Sequence, residues 1–242
     1  MQELLQNLAP WLSDNAIFTP STLAQYWEGF THTVQLVFIS LVLGLFLAVP
    51  LAIGRASPFW PVSKGIWLFT WVFRGTPLLI QLYIAYYGLA FIPGIRDSVI
   101  WPLIREPIYP ALLAFTLNTA AYTTEIFYGA IKATPRGELE AARAYGMSPF
   151  MAYRRIILPS ALRRALPAYG NEVIFMLHAS AIASVVTIAD LTGVAYNIYS
   201  RFYAPFSAFL FVALCYMVLS FSIQGIFRLL EKRMLAHLQP RQ

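Results

Sequence analysis

The stretch ELEAARAYGMSPFMAYRRIILP, residues 138–159, is a long polar segment between two strongly apolar blocks. Its first half is rich in residues with high helix propensity. Gly146 can adopt the positive φ that ends a helix, and Ser148 followed by Pro149 supplies a cap and a first helical residue. Pro159 is expected to limit this second helix. The sequence therefore predicts a helix, a turn and a second helix here.

Composition places the chain among membrane proteins. Hydrophobic residues make up 59% of the 242 residues and charged residues only 12%, about half the charged fraction of a soluble domain. This length allows five or six spans of about 20 residues, with no room for a soluble catalytic domain. The single cysteine, Cys215, excludes an intrachain disulfide. The first basic residue is Arg55, so the amino terminus lacks the positive region of a cleavable signal peptide.

We predict an all-α integral membrane protein with five transmembrane helices and a polar loop between the third and fourth. The amino-terminal lead-in is a surface-lying helix or irregular chain. An Arg-Gly-Thr-Pro run from Arg74 to Pro77 interrupts the second apolar block and predicts a kink or a tilted entry. The predicted segments are the lead-in 1–28, spans at about 29–53, 65–92, 110–131, 167–188 and 205–227, the loop 132–166 and the tail 228–242.

Basic residues are distributed unequally between the two sides that five spans define. With the amino terminus outside, the inner segments hold thirteen Lys and Arg and the outer segments three, while Arg74 falls inside an apolar block. Cytoplasmic segments of membrane proteins carry this excess of positive charge. The sequence thus predicts a periplasmic amino terminus, a cytoplasmic carboxyl terminus and a cytoplasmic position for residues 138–159.

Two stripes of polar and small side chains on the predicted spans are candidates for a pathway lining. Ionisable residues inside spans are costly and are often functional. On the third span, polar and small residues recur at helical spacing; on the fourth, a second stripe shares one face. The stripes comprise Asn118, Tyr122, Glu125 and Gly129, and then Asn171, Glu172, Phe175, His178, Ser180 and Ser184.

Glu125 and Arg74 each allow a structural and a functional interpretation. Glu125 either contacts substrate or pairs with Arg74 or Lys132 to hold the bundle together. Arg74 could bind a substrate carboxylate bidentately. Alternatively, its guanidinium could reach the inner interface and pair with lipid or with Glu125.

Glu172 and His178 carry the same ambiguity. Glu172 lies near Arg163 and Arg164, which favours an interfacial ion pair over substrate contact. His178 is either a hydrogen-bonded packing residue or a ligand, and no neighbouring Cys, Asp or Glu suggests a metal site. Charges in the predicted outer loops are rim residues or contacts for a docking protein; these are Arg96, Arg105, Asp190 and Arg201.

The sequence lacks the motifs that would let the chain work alone. No G-x-x-x-x-G-K-[ST] phosphate loop occurs, so the chain does not bind ATP in that way. No Ser/His/Asp arrangement stands out, and we predict that the chain is not an enzyme. No internal repeat supplies the two halves of a secondary transporter.

The loop resembles the cytoplasmic EAA loop of ABC-importer permease subunits. The match consists of Glu140-Ala141-Ala142, Gly146 after three further residues, and Ile156, Leu158 and Pro159. Three more segments resemble the polar amino acid branch, which includes the histidine/lysine/arginine/ornithine permeases. They are FRGTPLLIQL (73–82), LNTAAYTTEIFYGAI (117–131) and LPSALRRALPAYGNEVI (158–174).

This resemblance implies the type I ABC importer permease fold in a bacterial inner membrane. The EAA loop of that family is a coupling helix that seats on an ATP-binding subunit, which binds ATP and Mg in place of this chain. The family also implies a dimer of ATP-binding subunits, a second permease in a heterodimer, a periplasmic binding protein and a basic amino acid as substrate. The implied coupling residues are Glu140, Ala141, Ala142, Gly146 and Pro159.

One departure from the family pattern affects the substrate prediction. Many relatives carry Lys-Asp-Ser/Thr-Ser-Leu where this chain has His-Ala-Ser-Ala-Ile at residues 178–182. A substrate contact made by that Asp cannot be made here. This favours a pair of unlike permeases in which the partner supplies the charged part of the site.

Two other functions stay open from the sequence. An ion-coupled secondary amino acid transporter would work without an ATPase and would depend on protonation of Glu125 or Glu172. A non-transporting membrane scaffold would tolerate substitution of both polar stripes.

Overall fold

The computed structural model describes residues 17–235, and every regular element within that range is helical. The predicted all-α class is confirmed. Parts of the predicted lead-in and tail, residues 1–16 and 236–242, lie outside the described residues. The longer helices are α1 (Pro20–Arg55), α2 (Trp60–Gly75), α3 (Leu78–Phe91), α4 (Ile108–Lys132), α5 (Arg136–Ala144), α6 (Pro149–Val186), α7 (Leu191–Phe202) and α8 (Pro205–Met234).

Among the described helices, α1, α6 and α8 are long and apolar enough to cross a membrane, and α2 with α3 adds a fourth if the bent pair forms one span. Helix α4 has 25 residues and a length of about 37 Å, which exceeds the ~30 Å hydrocarbon layer. Its polar residues lower its hydropathy, but Asn118, Thr119, Thr123 and Thr124 are buried. Because α1, α2 and α6 pack around α4, these groups are shielded from lipid. The five-span count stays a prediction, with α4 as its central span.

Helix α1 begins earlier than predicted, at Pro20 rather than at residue 29. Proline is favourable at a first helical position because its missing N–H needs no partner there. The Thr19 hydroxyl accepts a hydrogen bond from the Thr22 N–H at 3.3 Å and caps the helix. The end of the lead-in is therefore helical, and Pro20 starts the helix instead of breaking it.

The second apolar block forms two helices rather than one span over residues 65–92. Helix α2 ends at Gly75 and α3 begins at Leu78, and the two axes differ by 102°. Pro77 disfavours helical backbone at Thr76, which is extended with ψ 143°. A break was predicted at this point, but its angle is far larger than a kink.

The helix, turn and second helix predicted for the polar stretch are present. Gly146 has φ 69°, and the Met147 N–H bonds to the Ala142 carbonyl at 3.0 Å, which closes the end of α5. The Ser148 hydroxyl caps α6 by accepting from the Met151 N–H at 3.3 Å.

Pro159 does not end the second helix, contrary to the prediction. A π-helical turn at Tyr153–Ile157 precedes it, and the Leu158 N–H bonds to the Tyr153 carbonyl. Such a wider turn accommodates the proline ring without breaking the helix. As a result α6 runs from Pro149 to Val186, and the predicted fourth span 167–188 is only its later part.

The predicted boundaries near the carboxyl end also shift. The segment between the last two predicted spans contains α7, which Asp190 caps by accepting from the Gly193 N–H at 2.9 Å. Helix α8 begins at Pro205 as predicted but continues to Met234, so the start of the predicted tail is helical. Lys232 and Arg233 lie in its last turn, where their positive charges interact favourably with the negative end of the helix dipole.

Three apolar clusters are stacked along the bundle. One joins Ile17 and Tyr26 of the amino-terminal region to α7 and the start of α8. A central cluster contains Leu36, Phe115 and Leu177. The third joins the ends of α1 and α4 to residues 157–165 of α6. Helices α1 and α4 thus run parallel, with α6 antiparallel, and α5 lies at the third cluster.

Candidate translocation cavity and docking loop

A cavity of about 540 Å³ lies where the α2–α3 break meets α4 and α6. Five of the predicted pathway residues line it: Arg74, Asn118, Tyr122, Glu172 and Phe175. Glu125, His178 and Ser180 are not part of its wall. The remaining lining residues are Gly75, Thr76, Pro77, Leu78, Met176 and Ala179.

The Arg74 side chain is exposed and lies against an aromatic ring at the cavity wall. Its Cζ is 5.3 Å from the centre of the Tyr122 ring, a cation–π distance. The Tyr122 hydroxyl donates to the Arg74 carbonyl at 3.4 Å. These contacts orient the guanidinium without neutralising it, so its N–H groups can bind an anion.

Glu172 supplies a carboxylate to the same cavity. The side chain is 6% exposed, and its Oε1 accepts a hydrogen bond from the Thr119 hydroxyl at 3.0 Å. Arg163 and Arg164, the partners considered from the sequence, bond elsewhere. The predicted interfacial ion pair is therefore wrong, because α6 turns Glu172 toward α4.

Gln81 holds the α2–α3 break open next to the cavity. Its Nε2 donates to the Phe73 carbonyl at 2.7 Å and to the Thr76 carbonyl at 3.1 Å. The Asn118 amide donates to Gln81 Oε1 at 3.0 Å. Carbonyls left free by the end of α2 thus gain partners. Sequence reasoning missed Gln81; the signal was an amide four residues after Pro77 within an apolar block.

Glu125 has a structural partner that the sequence analysis did not name. Arg55 Nε lies 3.3 Å from Glu125 Oε1, and the Thr70 hydroxyl donates to the same oxygen at 2.7 Å. The suggested pairs with Arg74 and Lys132 are wrong. The ends of α1 and α4 lie side by side, which brings Arg55 to Glu125. This ion pair connects α1, α2 and α4 away from the cavity.

His178 and Ser180 also lie off the cavity. His178 is exposed, and its Nε2 is 3.0 Å from the Ser220 hydroxyl of α8. Ser180 is fully buried and donates to the Leu177 carbonyl at 2.7 Å. His178 still belongs to the α-helical part of α6 and faces α8, whereas 3₁₀ geometry begins at Ser180 and changes the direction of the side chains from there on.

The loop between α4 and α6 presents a mixed polar and apolar surface. Glu140, Ala141 and Gly146 are exposed, as predicted for contact residues. Large apolar side chains beside the turn are exposed as well, with Tyr145 84% and Phe150 75% exposed. A patch of this kind is typical of a protein-binding surface.

Two of the predicted coupling residues are not on this surface. Ala142 is only 2% exposed and faces the bundle, since it lies on the inner side of α5. Pro159 lies within α6, where its carbonyl accepts from Arg163 Nε at 3.2 Å. Ala142 is therefore not exposed for contact in this structure, and the coupling role of Ala142 and Pro159 stays a prediction.

At the opposite end, Asp190 is not a docking residue. It is fully buried, and burial raises the pKa of its carboxyl to about 6, against the Gly193 hydrogen bond that lowers it. Arg96, Arg105 and Arg201 lie on exposed positions, and Arg105 pairs loosely with Glu106 at 3.6 Å.

A bundle of long apolar helices with a cavity lined by Arg74 and Glu172 has the features expected of a membrane permease. The model of the family described as binding-protein-dependent transport system inner membrane component matches residues 22–236, and the chain belongs to this family. It is thus a permease subunit of a bacterial ABC importer located in the inner membrane, and the predicted resemblance is confirmed.

Two individual relatives are similar to this chain over most of its length. The chain is 46% identical over 230 residues to the histidine/lysine/arginine/ornithine transport system permease protein HisM of Escherichia coli, covering 90% of this chain and 97% of that protein. It is 41% identical over 214 residues to the octopine transport system permease protein OccM of Rhizobium radiobacter, covering 88% and 87%.

Solved structures agree with this assignment. A chain of the structure titled "Crystal structure of an amino acid ABC transporter with histidines" matches with a TM-score of 0.75 and 33% identity, covering 87% of this chain and 94% of that one. A chain of the inward-facing MetNI methionine ABC transporter matches with a TM-score of 0.74 and 18% identity, covering 89% and 99%. The second match shows the fold alone.

Proposed function

We propose that this chain lines half of an import pathway for a basic amino acid and receives motion from an ATP-binding subunit through the loop at 132–166. The observation that carries the proposal is the cavity that presents Arg74 and Glu172 together. An amino acid carries a carboxylate and an ammonium group, and the two side chains are complementary to them. Similarity to the histidine/lysine/arginine/ornithine permease HisM supports a basic amino acid as the substrate class.

Each cavity residue has a proposed role. Arg74 binds the substrate carboxylate, and Tyr122 holds the guanidinium in place. Glu172 attracts a cationic group of the substrate, and Asn118 supports the wall through Gln81. The Asp of many relatives is replaced by Ala179, so the second permease of a heterodimer supplies further charge.

The docking surface consists of Glu140, Ala141, Tyr145, Gly146 and Phe150. All five are exposed, and together they combine a carboxylate, small residues and two aromatic side chains. Aromatic residues are enriched in the centres of protein interfaces. The proposed occupant is one subunit of an ATP-binding dimer, which binds ATP and Mg.

The orientation follows from the basic residues. The end of the bundle that holds Arg55, Lys132 and α5 is cytoplasmic, which agrees with the positive-inside rule. The amino terminus of α1 and helix α7 then face the periplasm, where a binding protein delivers the substrate. Closure of the ATP-binding pair moves α5 and switches the spans between inward and outward opening.

Substrate-stimulated ATP hydrolysis by the reconstituted complex, screened over the amino acids, tests this function. We expect stimulation by basic amino acids and, in Glu172→Gln, about a tenfold higher concentration for half-maximal stimulation, because the cationic group loses its counter-charge. Glu28→Gln, on the exposed surface of α1, is the matched control.

Three outcomes would contradict the proposal. Stimulation by acidic or neutral amino acids alone would refute the substrate class. Uptake by this chain without any ATP-binding subunit would favour an ion-coupled transporter. Normal uptake in both Glu172→Gln and Arg74→Gln would remove the cavity from the pathway and favour a scaffold.

A further inference from the structure

The guanidinium of Arg164 joins three segments at the loop of residues 132–166. Its Nη2 donates to the Ala130 carbonyl in the last turn of α4 at 3.3 Å and to the hydroxyl of Thr134, just after α4, at 2.9 Å. Its Nη1 donates to the Ser160 hydroxyl on α6 at 2.6 Å. The same Nη1 lies 3.8 Å from Glu138 Oε1 on α5. This side chain therefore connects α4, α5 and α6.

The contact between Arg164 and Glu138 is only partly formed. Arg164 Nε and Glu138 Oε2 are both buried without a hydrogen-bond partner. A charge-assisted N–H···O bond between arginine and a carboxylate is about 2.8 Å long. A shift of α5 toward Arg164 by about 1 Å would bring Nη1 and Oε1 to that distance. A second, closed arrangement of the pair is thus within reach of a small movement of α5.

We propose that Glu138 and Arg164 form a transmission contact, in which displacement of α5 closes the pair and moves the end of α4. This inference rests on the proposed docking function. Helix α4 also carries Asn118 and Tyr122 at the cavity, so movement at its carboxyl end reaches the pathway through one continuous helix. Arg164 and Glu138 are positioning residues, since neither touches the cavity.

Arg163 is a neighbour that lacks this role. Its Nε donates to the Pro159 carbonyl of its own helix at 3.2 Å. The two arginines have the same charge and adjacent positions, but only Arg164 bonds to α4. Arg163→Gln is therefore a matched control for Arg164→Gln.

The experiment is a double-mutant cycle on the assembled complex with its ATP-binding subunits and binding protein. Glu138→Gln, Arg164→Gln and the double variant are compared for uptake per ATP hydrolysed. We expect each single change to lower this ratio about tenfold while hydrolysis continues. The double variant should lose no more than Arg164→Gln alone, because that variant already lacks the interaction with Glu138. Arg164→Lys keeps the charge but lacks the fork and should show an intermediate loss.

The inference is supported if hydrolysis persists while uptake fails in these variants and Arg163→Gln stays coupled. It is overturned if the Arg164 variants keep the wild-type ratio, or if Arg163→Gln lowers the ratio equally. Failure of Arg164→Lys to assemble would also overturn it, since the role would then be structural. A wild-type complex without ATP-dependent uptake would instead refute the proposed function itself.

Discussion

Glu125 illustrates how a carboxylate can be retained in an apolar helix without serving the pathway. Its spacing on α4 matches that of Asn118 and Tyr122, so periodicity alone put it in the same stripe. The partner Arg55 comes from α1, 70 residues away, and no local pattern signals it. Glu172 was instead expected to pair with the nearby Arg163 and Arg164. Its position on α6 turns it toward α4, where it lines the cavity. Residue types were predictable, whereas their partners depended on packing.

Removal of Arg55 should destabilise the bundle. In Arg55→Gln the Glu125 carboxylate keeps the Thr70 hydrogen bond but loses its counter-charge. The two side chains are 16% and 19% exposed, so we expect a loss of roughly 2 kcal/mol, below the 3–5 kcal/mol of a fully buried pair. Thermal unfolding of the purified chain in detergent measures this. Lys64→Gln, at an exposed position, should leave the midpoint unchanged. Equal midpoints for both variants would contradict the assignment.

At the scale of elements, helix ends set by local residues could be predicted, whereas long-range geometry could not. Gly146, Ser148 and Pro149 act through their own backbone and side-chain preferences, and the predicted turn and second helix start are present. The predicted helix end at Pro159 was wrong because a π-helical turn accommodates the proline ring, and the formation of that turn depends on how α6 packs. The 102° turn between α2 and α3 likewise depends on Gln81, which finds its acceptors only after the fold forms.

Gly44 allows a close approach of α1 to α4. A Cβ placed there would overlap Thr119 Cγ2 and lie 3.4 Å from the Ala120 nitrogen. Small residues permit such contacts between membrane helices. Gly44→Ala should therefore lower stability by about 1–3 kcal/mol, and it should shift the Thr119–Glu172 hydrogen bond. Thermal unfolding and uptake are the measurements. Gly225→Ala, where nothing lies within 4 Å, is the control, and equal effects would disprove the contact.

At the scale of the molecule, the polar loop, the charge distribution and the family resemblance were sufficient to predict the fold class and the importer family. The cavity was only half predicted. Sequence patterns predicted Arg74, Asn118, Tyr122, Glu172 and Phe175 as lining residues, but their convergence required the break after α2. The span count depends on α4, whose buried polar residues make it less apolar than its neighbours.

The proposed orientation predicts which ends are accessible. In a Cys215→Ser background expressed without the ATP-binding subunits, which would cover this position, the Tyr145→Cys variant should react with a membrane-impermeant maleimide only when the cytoplasmic side is open. A cysteine at Arg201 should react from outside in intact spheroplasts. Both positions are exposed. The reverse pattern of labelling would invert the topology and place the docking loop away from any cytoplasmic ATPase.

ATP-dependent amino acid uptake by the reconstituted complex with Gly146→Asp tests the docking claim most directly. Gly146 and Gly94 share a left-handed backbone, with φ 69° and 77°, and a Cβ added to either glycine would meet nothing within 4 Å. They lie in different connections, so Gly94→Asp controls for backbone strain and added charge. We predict that Gly146→Asp inserts normally but loses uptake, as should Glu140→Lys, while Gly94→Asp retains it. Normal uptake in both Gly146→Asp and Glu140→Lys would contradict the docking claim.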